Sequence, residues 1–196
     1  MSDQKKTLRW FKTAWLTGTN NASKVGWSTK FNQQIRFQIL SQIDNLNNQN
    51  VLDFGCGLGD LFPYLSNIYP QIKYVGIDIT KEYIKTAREK YPNTQFIHGD
   101  DQKVKQNYDY ILCSGVFSCN EENSTNIYKN TISKLYKLSN KAIGINFLKK
   151  GKHIENHIYK TWDPNLTYKW AQTMSSNVKL IDSYLPHDFT LFIYKQ

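Results

Sequence analysis

The stretch VLDFGCGLGDL, residues 51–61, determines how the rest of the chain is interpreted. It begins with a short apolar run, residues 51–54, of the kind that forms a buried strand. Three glycines follow at alternate positions, and Leu61, Leu65 and Ile68 then recur at helical spacing. Glycine tolerates the positive φ of a tight turn, and without a Cβ it lets a ligand lie against the backbone. The order of strand, glycine turn and helix therefore predicts a nucleotide-binding site.

The spacing of the glycines narrows the class of ligand. The dinucleotide fingerprint is G-x-G-x-x-G, whereas Gly55, Gly57 and Gly59 give G-x-G-x-G, with Asp53 two residues before the first glycine. The stretch resembles motif I of the class I S-adenosylmethionine-dependent methyltransferases, which reads roughly V-L-D-x-G-C-G-x-G. The resemblance implies an S-adenosylmethionine-dependent methyltransferase of the small, single-domain bacterial type, and it disfavours an NAD-dependent Rossmann enzyme.

Strand and helix patterns alternate along the chain. Strands are predicted at about 50–55, 73–78, 95–98, 108–114 and 142–147, and helices at about 28–45, 59–69, 80–90, 124–138 and 164–175. Such alternation argues for an α/β fold whose parallel sheet has helices on both faces. Two last strand patterns, 178–184 and 189–194, are joined by only four residues, so they are antiparallel neighbours. This resembles the Rossmann-like methyltransferase sheet of seven mostly parallel strands, order 3-2-1-4-5-7-6, with the last strand antiparallel.

We expect a single methyltransferase domain over residues 1–196, because a chain of this length can bury one sizeable core. Its predicted parts are N-terminal cover helices (1–46), a cofactor-binding core (about 50–148), an acceptor-side cover (about 149–176) and a terminal hairpin (177–196).

The candidate site residues lie where the predicted strands end, since ligands of open α/β sheets bind beyond the carboxyl ends of the strands. Asp78 ends the second strand about 20 residues after the glycine turn, where a carboxylate can accept hydrogen bonds from a ribose diol. The resemblance places Asp53 near the methionine ammonium and Asp100 near the adenine amino group, and Arg36 is a candidate partner for the cofactor carboxylate. The expected cofactor-binding residues are Asp53, Gly55, Cys56, Gly57, Gly59, Asp78, Ile79, Asp100, Asp101, Ser114, Gly115, Val116, Arg36 and Trp27.

The resemblance implies that residues 113–120, at the end of the fourth strand, face the methyl acceptor. They contain no Asn/Asp-Pro-Pro-Tyr/Phe motif of amino-methylating nucleic-acid enzymes and no Pro-Cys motif of cytosine C5 enzymes. Methyl transfer from a sulfonium is an in-line displacement, so positioning and desolvation can supply much of the rate. A general base is needed only for an acceptor that holds its proton. His187, Asp188 and Asn146 are candidates for a catalytic role, and no metal site is expected.

The charge balance leaves the acceptor open. The formal net charge is +9, and residues 1–36 contain seven basic residues against one acidic residue. A positive net charge of this size is compatible with an anionic small substrate or with a nucleic acid. No RNA-binding motif accompanies the charge, so we expect a small-molecule acceptor, of the sugar or secondary-metabolite kind, methylated at oxygen or nitrogen. An RNA methyltransferase using the basic N-terminal region and a non-catalytic S-adenosylmethionine-binding module remain alternatives.

The sequence also bears on location. It contains no run of 18 or more apolar residues, so no membrane span is expected. The three cysteines have no metal-like spacing, and reduced thiols in a cytoplasmic protein are the simplest interpretation.

Overall fold

The fold is built on one central sheet. The structure, a computed structural model, describes residues 13, 16–19, 21–24, 29–120, 122–151 and 159–196. Within these residues seven strands pair in the order β3-β2-β1-β4-β5-β7-β6. They are β1 (Asn50–Phe54), β2 (Lys73–Asp78), β3 (Gln95–His98), β4 (Tyr108–Cys113), β5 (Ser139–Leu148), β6 (Val178–Ile181) and β7 (Asp188–Tyr194). Strands β1 to β5 pair in parallel, and β7 is antiparallel to β5 and β6. The predicted fold class and strand order are confirmed.

Helices cover both faces of this sheet, as predicted. The described helices are α1 (Asn21–Lys24), α2 (Lys30–Leu40), α3 (Leu61–Ile68), α4 (Lys81–Lys90), α5 (Ser124–Leu138) and α6 (Pro164–Ala171). One apolar cluster joins α5 and α6 to one face of the sheet. A second cluster joins α2, α3 and α4 to the opposite face. No helix in the described ranges is both long and apolar enough to cross a membrane.

Helix α2 carries charge into the interior. Thr29 is its N-cap, and the Thr29 hydroxyl accepts a hydrogen bond from the backbone N–H of Asn32 at 3.1 Å. The buried side of the helix includes Arg36, which is only 5% exposed. Burying a guanidinium group costs free energy unless a carboxylate pairs with it. The partner of Arg36 therefore shows which element holds this side of α2.

The α2 side of the sheet becomes polar towards the carboxyl ends of the parallel strands. Successive side chains of a strand point to opposite faces. Val51, Tyr74 and Ala142 belong to the cluster beneath α2, α3 and α4. By this alternation, Asp53, Asp78 and Asn146, which lie two or four residues further along the same strands, are on that same face. All three are buried, so this corner of the interior places polar groups at the edge where ligands of such sheets bind.

Candidate functional site

The glycine turn after β1 has the backbone conformation that its sequence predicts. Gly55, Gly57 and Gly59 have φ values of +78°, +54° and +76°. The backbone N–H groups of Gly55 and Cys56 both donate to the carbonyl of Ile77, at 2.8 and 3.0 Å, which fastens the turn to β2. A Cβ atom at Gly55 would lie 2.4 Å from Cγ2 of Val116. Glycine is therefore required there by the positive φ and by the packing of the segment after β4.

Asp78, the last residue of β2, is hydrogen-bonded to this turn. Its Oδ2 accepts a hydrogen bond from the N–H of Gly57 at 2.9 Å, and its Oδ1 accepts one from the N–H of Thr80 at 2.8 Å. The carboxyl group is buried, and burial raises its pKa although the two hydrogen bonds oppose that rise. A carboxylate offers about four acceptor positions. The positions not used by the protein are available to hydroxyl groups of a ligand.

Asp53 is the second buried carboxyl group at this edge. It is 2% exposed and accepts a hydrogen bond from the hydroxyl of Tyr74 at 2.5 Å. Burial raises the pKa of Asp53 to about 7, and the nearby Asp78 contributes to the rise. Burial, Asp53 and Asp78 together hold the pKa of the Cys56 thiol well above its usual value, so that thiol is protonated and is no nucleophile. A cationic ligand beside these two carboxyl groups would favour their ionised forms.

The residues that follow β2 and β3 lie at the same edge. The N–H of Gly99 donates to the carbonyl of Asp78 at 2.9 Å. Asp100 caps the short turn at Asp101–Lys103 by accepting from the N–H of Gln102 at 3.0 Å. Asp101 forms an ion pair with Lys134 of α5 at 2.9 Å. Ile79 is half-buried. Asp100 and Ile79 thus flank Asp78, on the side of the edge away from β4.

The segment after β4 also lies beside the glycine turn. Gly115 has a φ of +74°, and Val116 packs on Gly55 as described above. The Ser114 hydroxyl oxygen is buried and has no hydrogen-bond partner among the described residues. The structure therefore places Val116 against the glycine turn, with Ser114 and Gly115 just before it in the chain; their roles toward a cofactor stay predictions.

Arg36 has a protein partner. Its Nε donates to Oδ2 of Asp188 at 2.6 Å, and one of its terminal N–H groups donates to Oδ1. Asp188 is fully buried. The two expected site residues are thus brought together, one from the proposed cofactor-binding set and the other from the catalytic candidates. The cofactor-carboxylate role expected for Arg36 and the base role expected for Asp188 stay predictions, and the expectation for Trp27 lies outside the described residues.

His187 lies between the same elements. Its Nε2 is 3.5 Å from Nδ2 of Asn32 on α2, and its carbonyl accepts from the N–H of Lys149 at 2.8 Å. The ring is half-buried. His187 is therefore positioned between the end of β5 and the N-terminal cover.

Asn146 belongs to a polar group that the sequence alone did not reveal in full. Its Nδ2 donates to Oγ1 of Thr190 at 2.7 Å, and the hydroxyl of Tyr184 lies 2.9 Å from that same oxygen. Asn146 is 1% exposed, yet its Oδ1 has no partner among the described residues. A buried orphan acceptor costs about 1–3 kcal/mol, so it requires an explanation.

Tyr74, Tyr184 and Thr190 were not among the predicted site residues. Thr190 could have been noticed in the sequence, because it is a polar residue between the apolar Phe189 and Leu191 of a predicted strand. Tyr184 and Tyr74 carried no comparable signal, since a tyrosine at a strand position is ordinarily part of the core.

Comparison with known proteins agrees with this geometry. Residues 51–137 match the family model described as a methyltransferase domain. A putative methyltransferase (235L) of Invertebrate iridescent virus 6 is 32% identical over 92 residues, which cover 43% of this chain and 35% of that protein. A trans-aconitate 2-methyltransferase of Afipia carboxidovorans is 36% identical over 62 residues, covering 32% of this chain and 24% of that protein. The chain thus spans about a quarter to a third of the length of these curated relatives.

Solved structures extend the similarity over the whole chain at the level of the fold. The magnesium protoporphyrin IX methyltransferase of Synechocystis PCC 6803, with bound SAM, superposes with a TM-score of 0.74 at 17% identity, covering 100% of this chain and 98% of that one. The plantazolicin methyltransferase BpumL, in complex with SAH, gives 0.67 at 17% identity, covering 98% and 97%. The predicted resemblance to S-adenosylmethionine-dependent methyltransferases is therefore confirmed for the fold of the chain and for the sequence of residues 51–137.

Proposed function

We propose that this chain, which has a methyltransferase-like fold and matches a methyltransferase domain over residues 51–137, is a class I methyltransferase that transfers the methyl group of S-adenosylmethionine to a small-molecule acceptor. The observation that carries the proposal is the buried carboxyl group of Asp78, which is hydrogen-bonded to the glycine turn. A carboxyl group at this position of such a fold binds a ribose diol. We further propose that the methylated atom is an oxygen or a nitrogen, and that the acceptor is of the sugar or secondary-metabolite kind.

The described residues fit the cofactor. Asp78 would accept both ribose hydroxyls, and the acidic surroundings of Asp53 would hold the methionine ammonium. Asp100 and Ile79 flank Asp78 and would contact the adenine. The Ser114 hydroxyl, buried without a partner, is available for the amino-acid end of the cofactor. Each of these groups lies at the edge where the fold predicts the ligand.

The bound cofactor supplies a methyl group already activated on a sulfonium. The task of the chain is to hold the acceptor in line with that group and to exclude water. Asn146 is suited to positioning the acceptor, because its buried Oδ1 has no partner among the described residues and can accept a hydrogen bond from it. If the acceptor is a hydroxyl, His187 is the better candidate for a proton acceptor, since Arg36 occupies both carboxylate oxygens of Asp188.

A small acceptor is supported by the size of the fold and by the relatives. The segment between β5 and α6, which would cover the acceptor side, spans only residues 149–163. Similar proteins include enzymes named for trans-aconitate and for magnesium protoporphyrin IX. Cys56, Cys113 and Cys119 form no disulfide bond with one another, which supports a reducing, cytoplasmic location.

Calorimetric titration with S-adenosylhomocysteine and, separately, with NAD⁺ tests the proposal. We expect saturable binding of S-adenosylhomocysteine and no binding of NAD⁺. The second step measures S-adenosylhomocysteine release from S-adenosylmethionine with a panel of phenols, sugars, amines and carboxylic acids. Binding of NAD⁺ alone would overturn the assignment. Cofactor binding without release for any acceptor would favour the non-catalytic module, and turnover confined to RNA that weakens steeply with salt would favour an RNA acceptor.

A further inference from the structure

We propose that Asn146 selects an acceptor that presents an uncharged hydrogen-bond donor, a hydroxyl or an N–H group, to its side-chain oxygen. The inference rests on the proposed function and deepens it, because it names a chemical group of the acceptor. It predicts that carboxylic acids, which are ionised at neutral pH, are poor ligands at this site.

Asn146 lies on the face of the sheet that α2 covers. The register pairs Asp53 of β1 with Leu112 of β4, and Leu112 with Gly144 of β5. A Cβ atom at Gly144 would lie 3.2 Å from Cδ2 of Leu40 on α2, so this row faces α2. Asn146 is two residues further along β5 and therefore shares that face. It lies closer to the carboxyl ends of the strands than the row that contains Asp53.

Two buried polar atoms without partners lie on neighbouring strands at this edge. The register pairs Cys113 with Ile145, so its next step sets Ser114 beside Asn146, on strands whose backbones are about 5 Å apart. The Ser114 hydroxyl oxygen and Oδ1 of Asn146 are both buried, and neither has a partner among the described residues. With Ser114 at the amino-acid end of the cofactor, Oδ1 of Asn146 is on the β5 side of that end, where an acceptor can reach it.

The carboxamide of Asn146 is held by its neighbours on β7. Its Nδ2 donates to Oγ1 of Thr190 at 2.7 Å, and the hydroxyl of Tyr184 lies 2.9 Å from that oxygen. Asn146 and Thr190 are direct partners in the pairing of β5 with β7, and they are 1% and 0% exposed. The atom left for a ligand is Oδ1, and a carboxamide oxygen can only accept hydrogen bonds. A ligand therefore satisfies it only by donating one.

The charged groups beside this carboxamide are paired with each other. Asp188 lies two residues before Thr190 on β7, and both of its carboxylate oxygens accept hydrogen bonds from the guanidinium of Arg36. A carboxylate ligand would bring only acceptor atoms to Oδ1 of Asn146, so that buried oxygen would stay unsatisfied. A hydroxyl or N–H group satisfies the oxygen and adds no charge to the interior.

The test compares three probes that share one ring: phenol, anisole and benzoate. Anisole has a methyl group in place of the hydroxyl proton of phenol, and benzoate has a carboxylate in place of the hydroxyl. Each probe is titrated into the full chain saturated with S-adenosylhomocysteine, and binding is followed by ligand-observed NMR. We expect phenol to bind about fivefold more tightly than anisole or benzoate, which is the contribution of one hydrogen bond.

Two substitutions of Asn146 assign this preference to Oδ1. Asn146→Leu removes the oxygen and should abolish the preference for phenol over anisole. Asn146→Asp keeps an acceptor oxygen, so it should retain that preference and weaken benzoate further by charge repulsion. Asn130→Leu, at an exposed asparagine of α5 on the opposite side of the sheet, is the matched control and should change nothing. Urea unfolding checks that each variant is folded.

Several outcomes would overturn the proposal. They are absence of binding by all three probes, equal binding of phenol and anisole, and an unchanged preference in Asn146→Leu. Tighter binding of benzoate than of phenol would mean that Asn146 presents Nδ2 to the acceptor, which also overturns it. If Asn146→Leu does not fold, loss of the preference in Asn146→Asp has the same consequence.

Failure of the proposed function is seen separately, in the titration with S-adenosylhomocysteine alone. We expect that affinity to be the same in the natural protein and in the Asn146 variants. If S-adenosylhomocysteine does not bind, the three probes are titrated into the chain without it, and the preference for phenol still tests the donor site.

Discussion

The guanidinium of Arg36 and the carboxylate of Asp188 form a buried, doubly hydrogen-bonded ion pair that joins α2 to the start of β7. The pair connects residues 152 positions apart in the chain. It holds the N-terminal cover against the edge of the sheet next to His187 and Asn146. The pair therefore orders the part of the structure in which we propose that the acceptor binds.

Arg36→Met should destabilise the fold by about 3–5 kcal/mol, because it leaves the buried carboxylate of Asp188 without a counter-charge. The double variant Arg36→Met/Asp188→Leu should recover most of the loss, since two apolar side chains can replace a buried pair at little net cost. Urea unfolding followed by circular dichroism measures both. A loss below about 1 kcal/mol in Arg36→Met would contradict the burial of the pair.

Asp78→Ala should weaken S-adenosylhomocysteine binding by about 100-fold or more, because two hydrogen bonds to a charged acceptor contribute about 1.5–3 kcal/mol each. The side chain also holds the N–H groups of Gly57 and Thr80. Asp78→Asn, which retains one carbonyl oxygen, should therefore show an intermediate loss. Glu89→Gln is a matched control at an exposed carboxylate. Unchanged titration calorimetry in Asp78→Ala would remove this residue from the site.

Stability should fall as the pH rises from about 4 to about 7, because of Asp53. Its pKa is raised from 3.8 to about 7 in the folded protein, mainly by burial. Between these pH values Asp53 keeps its proton in the folded state but loses it in the unfolded chain. Each unit of pKa difference between the two states therefore changes the free energy of unfolding by about 1.4 kcal/mol. Asp53→Asn should remove this part of the pH dependence, as measured by urea unfolding at pH 5 and pH 8. The same slope in both proteins would contradict the prediction.

Cofactor binding should show the opposite trend with pH. A cationic ligand favours the ionised carboxylate, so the affinity for S-adenosylmethionine should rise from pH 6 to pH 8 in the natural protein and change less in Asp53→Asn. Calorimetric titration at the two pH values measures the difference. An affinity independent of pH would place Asp53 away from the ammonium.

The glycine turn and the carboxyl groups of the proposed cofactor edge were recognisable in the sequence because they are specified locally. The glycine turn and Asp53 lie within seven residues, and Asp78 follows one helix later. The strand order followed from the alternation of elements together with the short link between the last two strands. Each of these inferences needs only the pattern of one segment and the rules for joining segments.

The acceptor side was less predictable because its contacts join distant segments. Asn146 meets Thr190 through the antiparallel register of β5 and β7, in which the two residues are direct partners. No local pattern specifies that register; it is set by how the two strands pack on α2 and the core. The same holds for Tyr74, whose hydroxyl reaches Asp53 only because β1 and β2 are neighbours.

Gly55→Ala should disrupt the cofactor turn more than an ordinary glycine substitution does. The residue has a φ of +78°, and the new Cβ would meet Val116 at 2.4 Å. Adding Val116→Ala should remove the clash but leave the backbone strain of about 1–2 kcal/mol. We expect S-adenosylhomocysteine binding to be lost in the single variant and partly regained in the double variant. Equal binding in both would mean that the contact with Val116 has no part in shaping the turn.

Asn146→Ala should impair turnover without impairing the fold or the binding of the cofactor. The carboxamide already has one unpartnered atom, and Thr190 keeps Tyr184 as a partner after the substitution. The loss of one hydrogen bond and the gain from removing a buried orphan atom should nearly cancel, so stability should change by less than about 1.5 kcal/mol. If Oδ1 binds the acceptor, KM should rise or kcat should fall by about 10- to 100-fold for an acceptor identified in the panel. Thr190→Val is the control, because it breaks the existing bond but leaves the carboxamide in place. A large loss of stability in Asn146→Ala with unchanged kinetics would make the residue purely structural.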